Sequence, residues 1–206
     1  MRAPLELLYN FHWVLPDEAA RSAQAFAGFL SPLLKTNGIR ALVNLRGHHP
    51  YFAWWRYEQR VCKRLGIATF DTMLDSGKLP TRKMLVSLLE AFDAAPRPFL
   101  MKCSGGQDRT SLAAALFIVH RKGWAAREEA QVQFRAVPYL HFPKSHQKWL
   151  SQFVPFAEEH ANGGPLSAFI RERYDPHEFA QWLEARGMSG SFREIFLGRN
   201  ERIRVN

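Results

Sequence analysis

The segment from Phe99 to Val119 constrains the fold of this chain more than any other. A short apolar run, Phe99-Leu100-Met101, is followed closely by the polar run Cys103-Ser104-Gly105-Gly106-Gln107-Asp108-Arg109-Thr110 and then by an apolar stretch from Ser111 to about His120. This order predicts a buried strand, a tight loop and a buried helix that begins after Thr110. A strand that leads directly into a helix is typical of α/β proteins, in which helices cover a parallel sheet.

The upstream sequence continues this alternation of helices and strands. Apolar residues at helical spacing predict helices at 23–34, at 57–65 and between Pro80 and Pro96, while branched apolar runs predict strands at 39–45 and 67–70. Ser22 is a candidate N-cap for the first helix, and Gly66 is a candidate C-cap for the second. The expected fold is therefore α/β, with a small central and mostly parallel sheet flanked by helices.

The sequence beyond Gly123 predicts helices alone, at 127–134, 145–160, 166–174 and 176–186. Pro155 is expected to kink or split the second of these, because a proline removes a helical hydrogen bond. We expect these extra C-terminal helices to cap the same core. With 206 residues, the chain is interpreted as a single domain spanning 1–206.

Composition limits the cellular setting and the partners. The two cysteines, Cys62 and Cys103, provide no disulfide framework, and the first fifteen residues lack the apolar core of a secretory signal, so we expect a cytoplasmic protein. The run Leu112–Val119 is far shorter than the roughly 20 residues that cross a bilayer, and we expect no integral membrane segment. The net charge of +9 favours anionic partners, but the scattered basic residues carry no nucleic-acid-binding signature, and we expect no nucleic-acid partner.

The loop from Cys103 to Thr110 has the residues that phosphoryl transfer to a cysteine requires. Gly105 and Gly106 allow the backbone to curl, so that successive N–H groups and the following helix N-terminus can bind phosphate oxygens. The planar guanidinium of Arg109 can hold two of those oxygens. The same positive field is expected to lower the pKa of the Cys103 thiol, and the Thr110 hydroxyl is a candidate to hydrogen-bond the sulfur. The phosphate-binding candidates are Ser104, Gly105, Gly106, Gln107, Asp108 and Thr110.

This loop resembles the signature loop of the protein tyrosine phosphatase superfamily, especially its dual-specificity and lipid-phosphatase-like branch. The upstream runs Arg21-Ser22-Ala23-Gln24, Val43-Asn44-Leu45-Arg46 and Gly66-Ile67 resemble the order of elements in bacterial members, so the similarity covers roughly Trp13 to Lys122. It implies a cysteine-phosphatase fold without metal or cofactor. One departure is Lys102, which stands where such families usually have a histidine. A lysine supplies positive charge but cannot reproduce a histidine hydrogen-bond bridge.

The resemblance places a general acid on the loop from Asp71 to Pro80. Asp75 is the first candidate, because it lies in the middle of that loop beside Ser76-Gly77, where a loop can hinge. Asp71 is the second candidate, and Asp108 or the absence of a dedicated side-chain acid is the third alternative. Asp108 is interpreted chiefly as a residue that orients the loop or contacts a polar substrate.

Other residues have less specific interpretations. The aromatic run 47–57 is either core packing or a wall of the substrate pocket, and Arg46 is interpreted as a surface arginine rather than a phosphate ligand. His48 and His49 lack metal-ligand spacing, and we expect no metal. Cys62 is interpreted as a buried inert thiol, with a protective disulfide to Cys103 as the alternative.

The sequence thus predicts a phosphatase that hydrolyses phosphate monoesters through a cysteinyl phosphate, with Cys103, Arg109 and Asp75 as catalytic residues. The substrate classes that remain open are a protein phosphorylated on tyrosine, serine or threonine and a phosphoinositide-like lipid or inositol phosphate. One alternative is a phosphate-binding module, a pseudophosphatase, that has lost turnover. A sulfur-transferring protein is a weaker alternative, since its cysteine loop is typically shorter and does not need the Asp-Arg-Thr ending. The sequence leaves the oligomeric state open.

Overall fold

A five-stranded sheet forms the centre of the computed structural model, which describes residues 4–196. The strands are β1 (His12–Leu15), β2 (Ala19–Ser22), β3 (Ala41–Asn44), β4 (Ala68–Asp71), the short β5 (Lys78–Leu79), β6 (Phe99–Lys102) and the short β7 (Glu194–Ile195). The central sheet has the order β1-β2-β6-β3-β4, and β5 pairs with β7 separately. Only β1 and β2 are antiparallel in the central sheet. The predicted α/β class with a mostly parallel sheet is therefore confirmed.

Helices make up most of the remaining chain. They are α1 (Pro4–Leu8), α2 (Leu30–Thr36), α3 (Ala53–Leu65), α4 (Arg82–Ala94), α5 (Asp108–Lys122), α6 (Arg127–Val132), α7 (Phe153–His160), α8 (Leu166–Ala168) and α9 (Pro176–Glu184). Shorter 3₁₀ segments lie at Trp124–Ala126, Ser145–Gln152 and Ser189–Ser191, and a π-helical turn follows α8 at Phe169–Arg173. None of the helices at 4–196 combines the length and the apolar character that a bilayer crossing requires.

The sheet separates two apolar clusters, because successive strand residues point to opposite faces. Leu42 and Leu100 pack with apolar residues of α2 and α3 on one face. Val43 and Met101 belong to the larger cluster on the other face, which contains α4, α5 and the C-terminal helices. From Leu112 to Val119, every residue of α5 is buried, as predicted. The expected helices on both faces are confirmed.

The predicted helix at 23–34 is largely wrong. Ser22 ends β2 instead of capping a helix, and α2 begins only at Leu30. The intervening backbone is used for other contacts: the N–H of Ala23 donates to Tyr9 O at 2.7 Å, and that of Gln24 donates to Ser104 O at 3.1 Å. These tertiary contacts, one of them with the cysteine loop, override the local apolar spacing that favours a helix.

The predicted C-terminal helices are present with shorter bounds. The helix predicted at 145–160 is split, as expected, but the break lies two residues before Pro155: a 3₁₀ segment ends at Gln152 and α7 starts at Phe153. Pro155 therefore lies in the first turn of α7, where its missing N–H leaves no internal helical bond unmade. These helices bury aromatic residues against the α5 side of the sheet, including Trp149, Phe156 and Phe179.

The carboxyl ends of β2, β6, β3 and β4 meet at one edge of the sheet because these strands are parallel neighbours. In open α/β sheets, this is the edge where ligands bind. Three of the sequence-predicted features leave the sheet there: the cysteine loop after β6, Arg46 after β3 and the Asp71–Pro80 loop at the end of β4.

Candidate active site

The cysteine loop has the predicted position between β6 and α5. Cys103 directly follows β6 and is only 3% exposed. The helix begins at Asp108, earlier than the predicted start after Thr110, so Arg109 and Thr110 lie in its first turn. The N–H of Ser111 already donates to Gln107 O at 3.1 Å, and a carboxylate in the first turn is favourable beside the positive end of a helix. The loop proper is thus Cys103 to Gln107.

A buried arginine that the sequence interpretation did not assign to the site holds this loop in place. Arg21, at 0% exposure on β2, donates from Nη2 to the carbonyls of Gly106 and Gln107, both at 3.0 Å. The same nitrogen donates to Ser111 Oγ at 2.8 Å. Because C=O and N–H of a trans peptide point in opposite directions, the amides of Gln107 and Asp108 point away from Arg21. Arg21 therefore directs two amides toward the side of the loop opposite to its own guanidinium, and amides directed to one side can form an anion nest.

Burial also affects the ionisation of Arg21. Removal from water lowers its pKa to about 10, while the charge of Cys103 acts in the opposite direction. The guanidinium therefore remains protonated at neutral pH. Its other terminal nitrogen, Nη1, donates to the backbone and side-chain oxygens of Gln133 at 3.1 and 3.0 Å. The loop is consequently anchored to a residue beyond α6.

Gly106 packs directly against the backbone at the end of β2. Its φ is +62°, and a Cβ at this position would lie 2.3 Å from Ala23 N and 2.5 Å from Ser22 C. Both the backbone conformation and the space therefore require glycine. Asn10, another residue not predicted to contribute, donates from Nδ2 to Gly106 O at 2.8 Å and to Tyr139 O at 3.0 Å.

Arg109 and Asp108 do not pair with each other. Arg109 donates from Nη2 to Ser104 Oγ at 2.9 Å, which places its guanidinium across the loop. Asp108 lies 3.2 Å from His141 Nδ1 and accepts from Gln147 Nε2 at 3.1 Å. The Thr110 hydroxyl is 3.3 Å from Gln107 O and accepts from Arg21 at 3.2 Å. Its contacts support the loop backbone.

The two candidate acids have different surroundings. Both carboxylate oxygens of Asp71 accept hydrogen bonds: Oδ1 accepts from Asn44 Nδ2 at 2.7 Å, and Oδ2 accepts from Trp55 Nε1 at 2.8 Å. His48 Nδ1 lies 3.1 Å from the same Oδ2. Among residues 4–196, Asp75 accepts one hydrogen bond, at 2.7 Å, from the N–H of Gly77. Asp75 thus has a less occupied carboxylate, which suits a group that exchanges protons with a substrate.

Gln147 connects the Asp75 loop to the cysteine loop. Its buried Nε2 donates both to Ser76 Oγ at 2.9 Å and to Asp108 Oδ2 at 3.1 Å. Trp149 adds a hydrogen bond from Nε1 to Ser76 O at 2.9 Å. The residue that follows Asp75 is therefore held against the first turn of α5, beside Arg109. Nothing in the local sequence signals this role of Gln147, because its partners are far away along the chain.

Lys102 forms a buried ion pair in place of the histidine that the resemblance would imply. Its Nζ lies 2.6 Å from Glu58 Oε2, with both side chains 2% exposed, and 4.6 Å from the centroid of the Trp54 ring. Burial lowers the pKa of Lys102 to about 8, against the opposing effect of Glu58, and burial raises the pKa of Glu58. A positive charge is thus present next to Cys103 at neutral pH.

This ion pair predicts a specific pH dependence of stability. Between about pH 8 and 10.5, an unfolded Lys102 binds a proton that the folded protein does not, so stability rises with pH in this window and is unaffected below it. In this window, the free energy of unfolding of the wild type should rise with pH by at most about 1.4 kcal/mol per pH unit more than that of the double variant Lys102→Met/Glu58→Gln. Urea titrations across this window measure the difference. Parallel curves for the two proteins would contradict it.

Arg46 is not the surface arginine of the sequence interpretation. Its Nη1 donates to Gln24 Oε1, and its guanidinium carbon lies 3.7 Å from the centroid of the Trp54 ring. The aromatic run 47–57 has a mixed role, since Trp54 and Trp55 contact site residues whereas Tyr51 is 92% exposed. Cys62 is fully buried on α3, and burial raises its pKa to about 12, as expected for an inert thiol.

Comparisons with known proteins support the fold. No protein-family model matches the sequence, and a comparison with curated proteins found no relative. Among solved structures, TpbA of P. aeruginosa is similar with a TM-score of 0.56 and 18% identity, over 83% of this chain and 92% of TpbA. The core catalytic domain of the PP-IP phosphatase SIW14 from S. cerevisiae gives 0.52 and 19%, over 87% and 93%. A putative phosphatase from Shewanella putrefaciens gives 0.54 and 15%, over 74% and 97%. The chain therefore has the fold of these phosphatases, as the resemblance of its cysteine loop implied.

Proposed function

We propose that this protein is a phosphatase that hydrolyses phosphate monoesters through a phosphate bound covalently to Cys103. The observation that carries the proposal is the loop between Cys103 and α5. Arg21 draws its carbonyls to one side, so that amides point to the other, while Arg109 crosses the loop to Ser104. Oriented amides and a guanidinium next to a cysteine are suited to a tetrahedral anion.

In the first step, the Cys103 thiolate attacks phosphorus and the bond from phosphorus to the ester oxygen breaks. Asp75 donates its proton to that leaving oxygen. In the second step, the Asp75 carboxylate takes a proton from water, which attacks phosphorus, and the S–P bond breaks to return the thiolate and release phosphate. Arg109 and the loop amides stabilise the equatorial oxygens in both transition states.

The choice of Asp75 over Asp71 rests on hydrogen bonding. Asp71 already accepts from Asn44 and Trp55, and replacing those bonds during each turnover would cost free energy. Within the described part of the chain, Asp75 accepts only the turn bond from Gly77, and Gln147 holds its neighbour Ser76 close to Asp108. Asp108 itself is proposed to orient the first turn of α5.

The substrate is proposed to be a phosphorylated protein or a phosphoinositide-like molecule. Two similar structures support these classes, since a TpbA variant was solved in complex with pTyr and SIW14 is a PP-IP phosphatase.

A trapping experiment with Asp75→Asn tests the reaction and the acid together. With p-nitrophenyl phosphate, whose leaving group hardly needs protonation, the first step should remain fast and the second should slow by roughly 10²-fold or more. A phosphoryl group should therefore accumulate on the peptide that contains Cys103, as detected by mass spectrometry after a denaturing quench. Asp71→Asn serves as the matched control and should turn over without accumulation.

The outcomes separate the alternatives. Accumulation in Asp71→Asn but not in Asp75→Asn would reassign the acid to Asp71. A wild-type protein that binds phosphate but releases no p-nitrophenol, together with no trapped phosphate in either variant, would identify a phosphate-binding module without turnover and would overturn the proposal.

A further inference from the structure

Arg46 and Ser104 each follow the end of one of two neighbouring strands, β3 and β6. In the register of β3 and β6, Asn44 lies opposite Lys102, and the N–H of Leu45 donates to Lys102 O at 3.0 Å. Arg46 and Ser104 each lie two residues beyond this pair, and Ser104 is the residue after the candidate nucleophile. A charged side chain at this place borders the phosphate-binding loop directly.

A short series of contacts links Arg46 to Arg109. Arg46 donates to Gln24 Oε1, the backbone N–H of Gln24 donates to Ser104 O at 3.1 Å, and Ser104 Oγ accepts from Arg109 at 2.9 Å. Trp54 supports the Arg46 guanidinium at 3.7 Å through a cation–π contact. The side chain is therefore held next to the loop by two partners.

Arg46 and Arg109 are close enough for their charges to affect each other, and the charge of Glu58 also acts on Arg46. Within residues 4–196, neither Arg46 nor Arg109 has an ion pair with an acidic side chain. Burial lowers the pKa of Arg46, and the charge of Arg109 lowers it further. Two like charges near each other favour an anion at the site, because an anion relieves the repulsion.

Gln24 shows that the placement of Arg46 has an energetic cost. Gln24 is 1% exposed, and its Nε2 has no hydrogen-bond partner in the part of the chain that the structure describes. A buried donor without a partner is unfavourable, and its amide is oriented by the bond that Oε1 accepts from Arg46.

We propose that Arg46 forms a second anion subsite beside the loop, so that the preferred substrates carry a further phosphate adjacent to the reacting one. This inference rests on the proposed phosphatase function and narrows its substrate class. The ligand chemistry is a pair of neighbouring phosphates, linked as an anhydride or as vicinal esters on a small polyol. Arg109 and the loop amides would bind the reacting phosphate, and Arg46 would bind its neighbour through a charge-assisted hydrogen bond.

Binding measured without turnover tests the subsite. In a Cys103→Ser background, calorimetric titration gives Kd values for inorganic phosphate and for pyrophosphate. We expect pyrophosphate to bind at least roughly tenfold more tightly, as one added charged hydrogen bond allows. Adding Arg46→Met should reduce the ratio of the two affinities to about twofold or less. Arg46→Lys should restore part of the ratio, since lysine keeps the charge but not the planar pair of N–H donors. Arg64→Met, at an exposed position on α3, is the matched control and should preserve the full ratio.

Two results would overturn the subsite. One is an equal affinity of the Cys103→Ser protein for phosphate and pyrophosphate, and the other is a proportional loss of both affinities in Arg46→Met. Failure of the proposed phosphatase function looks different, because a protein without turnover would still show the Arg46-dependent ratio in this assay.

A turnover measurement separates the headgroup chemistry from a membrane effect. With wild type, kcat/KM is compared for a soluble inositol monophosphate, a soluble vicinal bisphosphate and the same bisphosphate headgroup on a lipid in detergent micelles. The subsite predicts that both bisphosphates exceed the monophosphate, and that Arg46→Met removes the advantage. An advantage confined to the lipid would instead reflect the charge of the aggregate and would contradict the role of Arg46.

Discussion

Replacing Cys103 with serine is expected to lower kcat for p-nitrophenyl phosphate by on the order of 10⁴-fold or more, as for other lost nucleophiles. The two side chains have nearly the same shape, so the loop contacts made by Arg21 and Arg109 should persist. The serine hydroxyl, however, remains protonated near neutral pH, and no Asp or Glu is found to hydrogen-bond residue 103 among residues 4–196. Release of p-nitrophenol measures the loss.

The second cysteine provides the control for this variant. Cys62 lies fully buried on α3, and its raised pKa keeps it protonated. Cys62→Ala should therefore retain kcat within a few fold, apart from a packing cost of roughly 1 kcal/mol. Phosphate binding by Cys103→Ser should also persist. Full activity in Cys103→Ser, or its loss in a folded Cys62→Ala, would place the nucleophile elsewhere.

Gly106→Ala is expected to destabilise the protein by about 2 to 4 kcal/mol and to abolish activity in the fraction that folds. The new methyl group would lie 2.3 Å from Ala23 N, and backbone atoms cannot move aside as a flexible side chain would. The φ of +62° adds strain of roughly 1 kcal/mol or more for any residue with a Cβ. The loop would have to leave β2, which would break the contacts of Arg21.

Gly105→Ala is a matched control one residue away. The atoms nearest to a Cβ at Gly105 would belong to the side chain of Gln107, at 3.5 Å or more, and the φ of Gly105 is not in the left-handed region. Thermal unfolding and p-nitrophenyl phosphate hydrolysis should therefore change much less than in Gly106→Ala, with a stability change within about 1 kcal/mol. Equal losses in the two variants would show that the tight approach of Gly106 to β2 is not what shapes the loop.

The sheet core and the cysteine loop could be predicted from sequence because their signals are local. Apolar runs end at Asn44, Asp71 and Lys102, and the parallel arrangement brings these ends together. The strands β1 and β2 escaped detection, because His12 and Arg21 interrupt their apolar character although both side chains are buried. Burial of these polar groups depends on partners that the local pattern does not contain.

The supporting residues of the site could not be predicted for the same reason. Arg21 contacts loop carbonyls and Gln133, and Gln147 joins Ser76 to Asp108, so each contact spans a long stretch of sequence. Local spacing even favoured a helix from Ala23, where the chain instead bonds to Ser104. The catalytic roles of Cys103, Arg109 and Asp75 stay predictions that the experiments above address.

The anchoring of the loop by Gln133 makes the shape of the cysteine loop depend on residues beyond α5. Arg21 binds Gln133 with one nitrogen and the loop with the other, and Asn10 joins the same loop to Tyr139. A fragment that ends with α5 would keep every strand of the central sheet and Cys103 itself, yet it would lack both anchors. A protease that cuts after α5 and removes the remaining residues would thus loosen the cysteine loop without touching Cys103.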